Sequence, residues 1–378
     1  MTRIILFLLK CVLGLFATVG FLLVAGIVLV AVFLPRYEGL EPADEDVPQQ
    51  AVLLLDLSDG LIEQRPANPL ARASLGGTLV LREAVEALHA AGRDDRVKAL
   101  VIRAGWGEPG LAQMQELRDA VVDFRAQGKP VVAFAETFGE AGNGTLHYFL
   151  ASAAGEVWMQ PSGDLGLTGF ALQQPFLKSL LEEIGVRGQV AQREEYKGAL
   201  SFVTDDAMPA PIRENLQRYL DSSLSQVVTA VAEARNLEAG KLRELVDRAP
   251  YRGAEAQSLG LVDHLGYWDE VEASVEERAG PEAGWLSLRA YNRATVEEEA
   301  EGPVVALVHG AGPIVLAEGE NDPVFGRVAL GAVDIAEALA EAIEDPEVEA
   351  IVFRVDSPGG SYVGSDTIWR EGQRAGDA

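Results

Sequence analysis

The stretch "EALHAAGRDDRVKALVIR", residues Glu86–Arg103, reads without a gap against "EALAEAIEDPEVEAIVFR", residues Glu337–Arg354. In both, apolar residues first recur at helical spacing and then close into a short continuous run. That change of period marks a helix feeding a buried strand. Upstream, "AVLLLDLSDGLI" (Ala51–Ile62) resembles "VVALVHGAGPIV" (Val304–Val315): an apolar strand, a Gly turn and two more apolar residues. Agreement across strand, turn, helix and strand, repeated after about 250 positions, points to a duplicated domain.

Working outward from the first copy, Leu81, Val85 and Leu88 give a helix over Leu79–Ala91, with Gly92 as its stop. A strand follows at Ala99–Ile102, a helix at Leu111–Gln127 closed by Gly128, and a strand at Val131–Phe134. Strands alternating with helices imply parallel pairing and an α/β layer fold. The second copy repeats this order through the strand Ala350–Val355. The sequence given stops at Ala378, inside the helix that matches the one after Arg103, so the second copy is expected to be incomplete.

The formal net charge of −27 excludes the basic face that a nucleic-acid partner requires. Hydrophobic content of 48% is that of a chain with a core, so wholesale disorder is excluded. Cys11 is the single cysteine, which rules out an intramolecular disulfide or a cysteine-based metal site. His89, His147, His264 and His309 are scattered without ligand spacing and read as surface or packing residues. No metal or nucleotide is implied.

From Cys11 to Leu34 no charged residue occurs, longer than the ~20 residues that cross a bilayer as a helix. The run ends in Phe33-Leu34-Pro35, a poor cleavage site, so it reads as an uncleaved anchor. Arg3 and Lys10 precede it, and Glu38, Glu41, Asp44, Glu45 and Asp46 follow close behind Arg36. That asymmetry places the N-terminus in the cytoplasm and the bulk of the chain outside it.

The strongest local chemical signal is Asp356-Ser357-Pro358-Gly359-Gly360-Ser361, directly after a strand. Paired glycines at a strand end let backbone N–H groups face a cleft, where they can hold an extended peptide or a developing oxyanion. A plain strand-to-helix turn explains the same residues equally well. Gly310-Ala311-Gly312 is a weak dinucleotide signal, since Pro313 follows where a helix start is required.

Taken together, "YFLASAAGEVWMQPSGDLGLTGF" (Tyr148–Phe170), "EYKGALSFVTDDAMPAPIREN" (Glu195–Asn215), "AQSLGLVDHLGY" (Ala256–Tyr267) and "FRVDSPGGS" (Phe353–Ser361) resemble the long form of signal peptide peptidase A. This is a bacterial serine protease family with a crotonase/Clp-like fold. The resemblance implies a Ser–Lys dyad, with the lysine in a Tyr-Lys-Ser-Ala motif of the first copy and the serine in the second. Here Tyr196-Lys197-Gly198-Ala199 takes the lysine motif's place, making Lys197 the general base, with Gly359 and Gly360 as substrate or oxyanion donors. A base of this kind works as a neutral amine, so burial away from carboxylates is expected around Lys197. Gly198 departs from the family's serine, and Ser201-Phe202 from its Glu-Pro-Phe; Asp205, Asp206, Met208 and Arg213 return to the pattern.

The serine's place matches Thr145 of the first copy and falls at about residue 396 if the duplication keeps its spacing. Thr145 belongs to the copy that supplies the lysine and is not expected to be the nucleophile. Nor does the family give Ser357, Ser361 or Ser365 that role. A side chain at Gly360 is expected to block the cleft and leave the fold intact.

The expected plan is a cytoplasmic tip and transmembrane anchor (1–36), an acidic linker (37–48), a first crotonase-like repeat (49–275), a linker (276–302) and an incomplete second repeat (303–378). The implied protein sits in the bacterial inner membrane with one pass, degrades released signal peptides and assembles as a homo-oligomer. With the serine segment missing, this chain is expected to bind and not cut. The other readings are a non-catalytic membrane-anchored peptide-binding scaffold, and a crotonase-type acyl-CoA enzyme in which the paired N–H groups hold a thioester oxyanion.

Overall fold

A computed structural model describes residues 46–65, 77–105, 109–140, 142–295, 302–319 and 329–377, with Gly14, Thr18, Gly20, Phe21, Val24 and Ala25. The anchor expected over Cys11–Leu34 lies outside these apart from those six residues. Among the described residues no helix is long and apolar enough to cross a membrane. The chain divides into two compact units.

The larger unit comprises Val47–Leu61 and Leu81–Val296. Its centre is a sheet of six strands: β1 (Ala51–Asp56), β2 (Val97–Arg103), β3 (Val131–Ala135), β4 (Glu156–Met159), β5 (His264–Leu265) and β6 (Gly284–Ser287). Their spatial order is β6-β1-β2-β3-β4-β5, and every pairing is parallel. A parallel sheet is covered on both faces, which is why its strands read as unbroken apolar runs. Val52, Ala99, Val101, Val132 and Phe134 form one face and pack against Val271 and Val275 of helix α5 (Trp268–Ala279). The intervening residues Leu53, Leu55, Leu100 and Ile102 are also fully buried, on the other face of the pleat. Helices α1 (Leu81–Arg93) and α2 (Leu111–Ala126) pack together, burying Ala84, Ala87, Leu88, Leu117, Val121 and Phe124.

Three further elements lead to the candidate site: α3 (Thr145–Ala151), the long helix α4 (Ala210–Ala234) and the excursion between them. Arg118 of α2, only 8% exposed, ties them together. Its Nε donates to Phe149 O at 3.1 Å, its Nη2 donates to Ala230 O at 3.1 Å, and its guanidinium lies 5.0 Å from the Phe149 ring centroid. Phe149 lies in the last turn of α3, so its carbonyl has no partner in the helix ladder and accepts from Arg118 and from Ser152 Oγ (2.7 Å) instead.

The smaller unit contains Ile62–Val80 and Glu297–Ala378 besides the N-terminal residues. Strands β7 (Val304–Ala311) and β8 (Val348–Asp356) pair in parallel, and α6 (Ala332–Glu344) and α7 (Tyr362–Asp377) pack over a core of Val308, Leu330, Ala332, Ile335, Leu339 and Ile368. The likeness to the larger unit extends to details. Helices α1 and α6 each have 13 residues, and α2 and α7 each have 16. The β1–β2 register slips between Ala51 and Val52, and the β7–β8 register slips between Val304 and Val305. Val52 and Val101 are fully buried, whereas Val305 and Val352, their counterparts in the smaller unit, are 52% and 49% exposed.

Two expectations need correcting. Residues 276–295 are not a linker: α5 runs to Ala279, β6 pairs with β1, and the helix Leu288–Thr295 packs on α1. Nor does Gly92 stop α1, which continues through it to Arg93. A Cβ at Gly92 would meet Gln127 Cγ at 3.3 Å, so this glycine admits the end of α2 close to the helix.

Candidate functional site

Lys197 lies in an excursion of the larger unit between Gly169 and the start of α4. The excursion leaves the core at Gly169 (φ 76°), passes the short helix Lys178–Glu183, and returns through the short helix Ser201–Thr204. A clasp closes its neck. Leu177 N–H donates to Phe202 O at 2.7 Å, and Asp206 accepts from Ser179 Oγ at 2.5 Å while pairing with Lys178 Nζ at 3.2 Å. The Ser179 hydroxyl, then Lys178, hold the Asp206 carboxyl below the ordinary carboxylate range. Beyond the clasp the chain turns at Glu194, whose φ of 62° is uncommon for a residue with a side chain. Lys197 N–H reaches back to Glu194 O at 3.4 Å.

The Lys197 side chain is exposed here, where a neutral base calls for burial. Its neighbour Tyr196 donates to Glu214 Oε2 at 3.4 Å, and the Glu214 charge pushes the phenol up. Gly198 is pressed against the beginning of α4: a Cβ there would sit 2.3 Å from Ile212 Cδ1 and 2.5 Å from Ile212 Cγ1. The departure from the family's serine at this position therefore has a physical counterpart, because Ile212 fills the side chain's space.

Thr145 starts α3 and is fully buried. Its hydroxyl accepts from Gly169 N–H at 2.9 Å and contacts Gly169 O at 3.4 Å. Asn143 completes the knot, accepting from Thr145 N–H and donating to Gly169 O, both at 2.9 Å. This hydroxyl is a structural staple at the root of the lysine-bearing excursion.

In the smaller unit the Asp356–Ser361 turn is fastened at several points. Ser357 Oγ donates to Gly312 O at 2.6 Å and accepts from Gly359 N–H at 3.1 Å. Ile314 N–H donates to Gly359 O, and Ser361 N–H donates to Ile314 O, each at 2.9 Å. Ser361 Oγ then accepts Gly364 N–H at 3.1 Å and caps α7. Of the two glycine donors, Gly359 is thus engaged, and Gly360 N–H has no acceptor among the described residues. A free backbone donor held by a fastened turn is suited to stabilising a developing oxyanion. Gly360 has φ 156°, and a Cβ on it would lie 2.3 Å from Ile314 O. The expectation that a side chain at Gly360 spares the fold is therefore corrected: it would collide with the strand to which the turn is bonded. Ser357 as the staple and Ile212 as the filler were not singled out from the sequence, where a Ser-Pro-Gly-Gly run and an apolar helix residue carry no such signal.

Residues 123–281 match peptidase family S49. That segment holds both Thr145 and Lys197. The chain is SppA-like. Among curated proteins it is 28% identical to Protease 4 of Salmonella typhi over 85% of this chain and 54% of the relative. It is 26% identical to Protease 4 of Haemophilus influenzae over 92% of this chain and 58% of the relative. It is also 26% identical to the chloroplastic serine protease SPPA of Arabidopsis thaliana, over 71% and 39% respectively. The SppA-like chain therefore spans about half the length of these relatives.

Proposed function

We propose that this SppA-like chain carries the lysine half of a Ser–Lys endopeptidase acting on peptides, with released signal peptides as the substrate class. The observation that carries this reading is that one S49 match encloses both Lys197 and Thr145, the position to which the second copy's serine corresponds. Lys197 is the general base: its neutral amine takes the proton from the serine hydroxyl as the oxygen attacks the scissile carbonyl. Gly360 N–H donates to the oxygen that becomes negative, while Gly359 shapes the turn. Desolvation favours the neutral amine, and cover of the exposed excursion by bound peptide or a neighbouring subunit of a homo-oligomer supplies it. The serine belongs to the second copy at about residue 396.

The apolar run Cys11–Leu34 fits a single-pass anchor in the inner membrane, with the catalytic portion outside the cytoplasm. A reporter fused after Asp46 that is active only when exported tests this; activity in the cytoplasm overturns the topology. The chemistry is tested in a polypeptide extended through the second-copy serine, using an apolar peptide ester. Lys197→Ala is expected to lower turnover by about 10²–10⁴-fold, the usual contribution of a positioned base. Turnover at the parent rate would show that another residue is the base.

A further inference from the structure

Ser201 is only 4% exposed, and its Oγ has no hydrogen-bond partner among the described residues. Native proteins rarely leave a buried hydroxyl unpaired, because the group has given up water for nothing. Among the described side-chain atoms in this state, Ser201 Oγ is the one within the lysine-bearing excursion. The backbone around it is well bonded: Ser201 N–H donates to Gly198 O at 3.0 Å, and Asp205 N–H donates to Ser201 O at 2.9 Å. The turn Gly198–Ser201 is seated on α4 through Gly198 and Ile212. Its hydroxyl is held in place without a use, and the residue before this turn is Lys197.

We propose that Ser201 is a positioning residue for Lys197. With the lysine side chain folded back over the turn, an amine N–H donates to Ser201 Oγ, and the nitrogen lone pair is left to face the nucleophile. A hydroxyl suits this task better than a carboxylate. It fixes the amine's orientation without adding a negative charge, and a negative charge would favour the ammonium form over the base. The position next to the lysine cannot supply this acceptor, since Gly198 has no side chain and Ile212 occupies its space. The inference rests on the reading of Lys197 as the general base.

The test uses the chain as it stands. Acetic anhydride in trace amount labels its lysines in competition, and mass spectrometry reads the Lys197 rate relative to Lys98, Lys129, Lys178 and Lys241. Ser201→Ala is expected to raise the relative Lys197 rate by roughly two- to tenfold, the factor carried by one ordinary hydrogen bond. Thermal stability should fall by no more than that one hydrogen bond accounts for, since the hydroxyl makes no other bond among the described residues. Ser201→Thr, which keeps the acceptor, should label like the parent. Ser201→Cys, which keeps the volume and weakens the acceptor, should behave like Ser201→Ala and so guards against a packing effect. An unchanged Lys197 rate in Ser201→Ala, or an equal rise at all five lysines, overturns the proposal. In the extended enzyme Ser201→Ala should lower kcat and leave KM in place. If Lys197→Ala abolishes turnover but Ser201→Ala changes neither kcat nor labelling, the positioning role falls and the base stands. If Lys197→Ala keeps its turnover, the base reading falls with it.

Discussion

Gly169 N–H donates to the hydroxyl of Thr145 at 2.9 Å, and this bond joins the start of α3 to the root of the excursion that carries Lys197. Both groups are buried, so removing the acceptor leaves a stranded donor. Thr145→Val is expected to cost about 1–3 kcal/mol, and Thr145→Ser much less. Urea unfolding of the two variants measures the difference. In the extended enzyme, Thr145→Val should retain turnover at temperatures where it is folded. Loss of turnover in a fully folded Thr145→Val protein would instead make the threonine a nucleophile.

Asp94 supports the larger unit at the turn between α1 and β2. Its carboxylate accepts from Arg96 Nε at 3.0 and 3.1 Å, Arg96 Nη2 at 2.7 Å, Arg96 N–H at 2.9 Å and the Tyr291 hydroxyl at 3.1 Å. The Arg96 guanidinium foremost lowers Asp94 to about 2, and burial foremost raises Tyr291 to about 12. A carboxyl lowered in the folded state stabilises fully above its unfolded value of about 4, and that contribution is lost as pH falls through the folded value. Asp94→Asn is therefore expected to cost about 1–2 kcal/mol at pH 7, with solvent around Arg96 moderating the pair. The gap between variant and parent should close on acidification from about pH 4 toward about pH 2. A gap that stays constant over that range would mean the charge is not what stabilises the turn.

Gly359 and Gly360 separate conformational from steric demand. Gly359 has φ 96° with nothing within 4 Å of an added Cβ, whereas a Cβ on Gly360 would sit 2.3 Å from Ile314 O and 2.7 Å from Ile314 N. Gly359→Ala should then cost about 1–2 kcal/mol of dihedral strain and keep the turn. Gly360→Ala should push the turn off its neighbour and break the Ser361 N–H to Ile314 O bond. Hydrogen exchange at the Ser361 amide distinguishes them, with protection kept in Gly359→Ala and lost in Gly360→Ala. Equal protection in both would show that the turn yields without cost.

The sheet was legible where burial on both faces makes a strand apolar throughout, as in Ala51–Asp56 and Val131–Ala135. The edge strand Gly284–Ser287 was not, because four residues with one Trp and one Leu carry no period of their own. Glycine gave mixed service. Gly128 does close α2, with φ 82° and its N–H donating to Arg125 O at 3.0 Å, while Gly92 answers a packing demand made by Gln127. A sequence shows both as a glycine after a helical run, and only the neighbour across the helix pair separates them. The same holds at the candidate site. Lys197 was reached through its motif, but Ile212, fifteen positions on, and the burial of Ser201 depend on how the excursion folds back onto α4.

That fold-back makes Gly198 and Ile212 a coupled pair. Placing the family's serine at 198 puts its Cβ 2.3 Å from Ile212 Cδ1, a distance no packed core tolerates without movement. Ile212 is 8% exposed and lies in the first turn of α4, so its side chain has little free space to retreat into. Gly198→Ser is expected to destabilise by about 1–3 kcal/mol, the usual cost of overpacking. Ile212→Val alone should cost about 0.5–1.5 kcal/mol for the methyl group it removes. In the double variant the shorter side chain makes room for the serine, so its loss should fall short of the sum of the single losses. Contacting residues couple in this way by about 0.5–3 kcal/mol. Denaturant unfolding of the four proteins in the cycle measures the coupling. Strict additivity would mean that the excursion lifts away from α4 to accept the serine, and that Ile212 does not determine what stands beside Lys197.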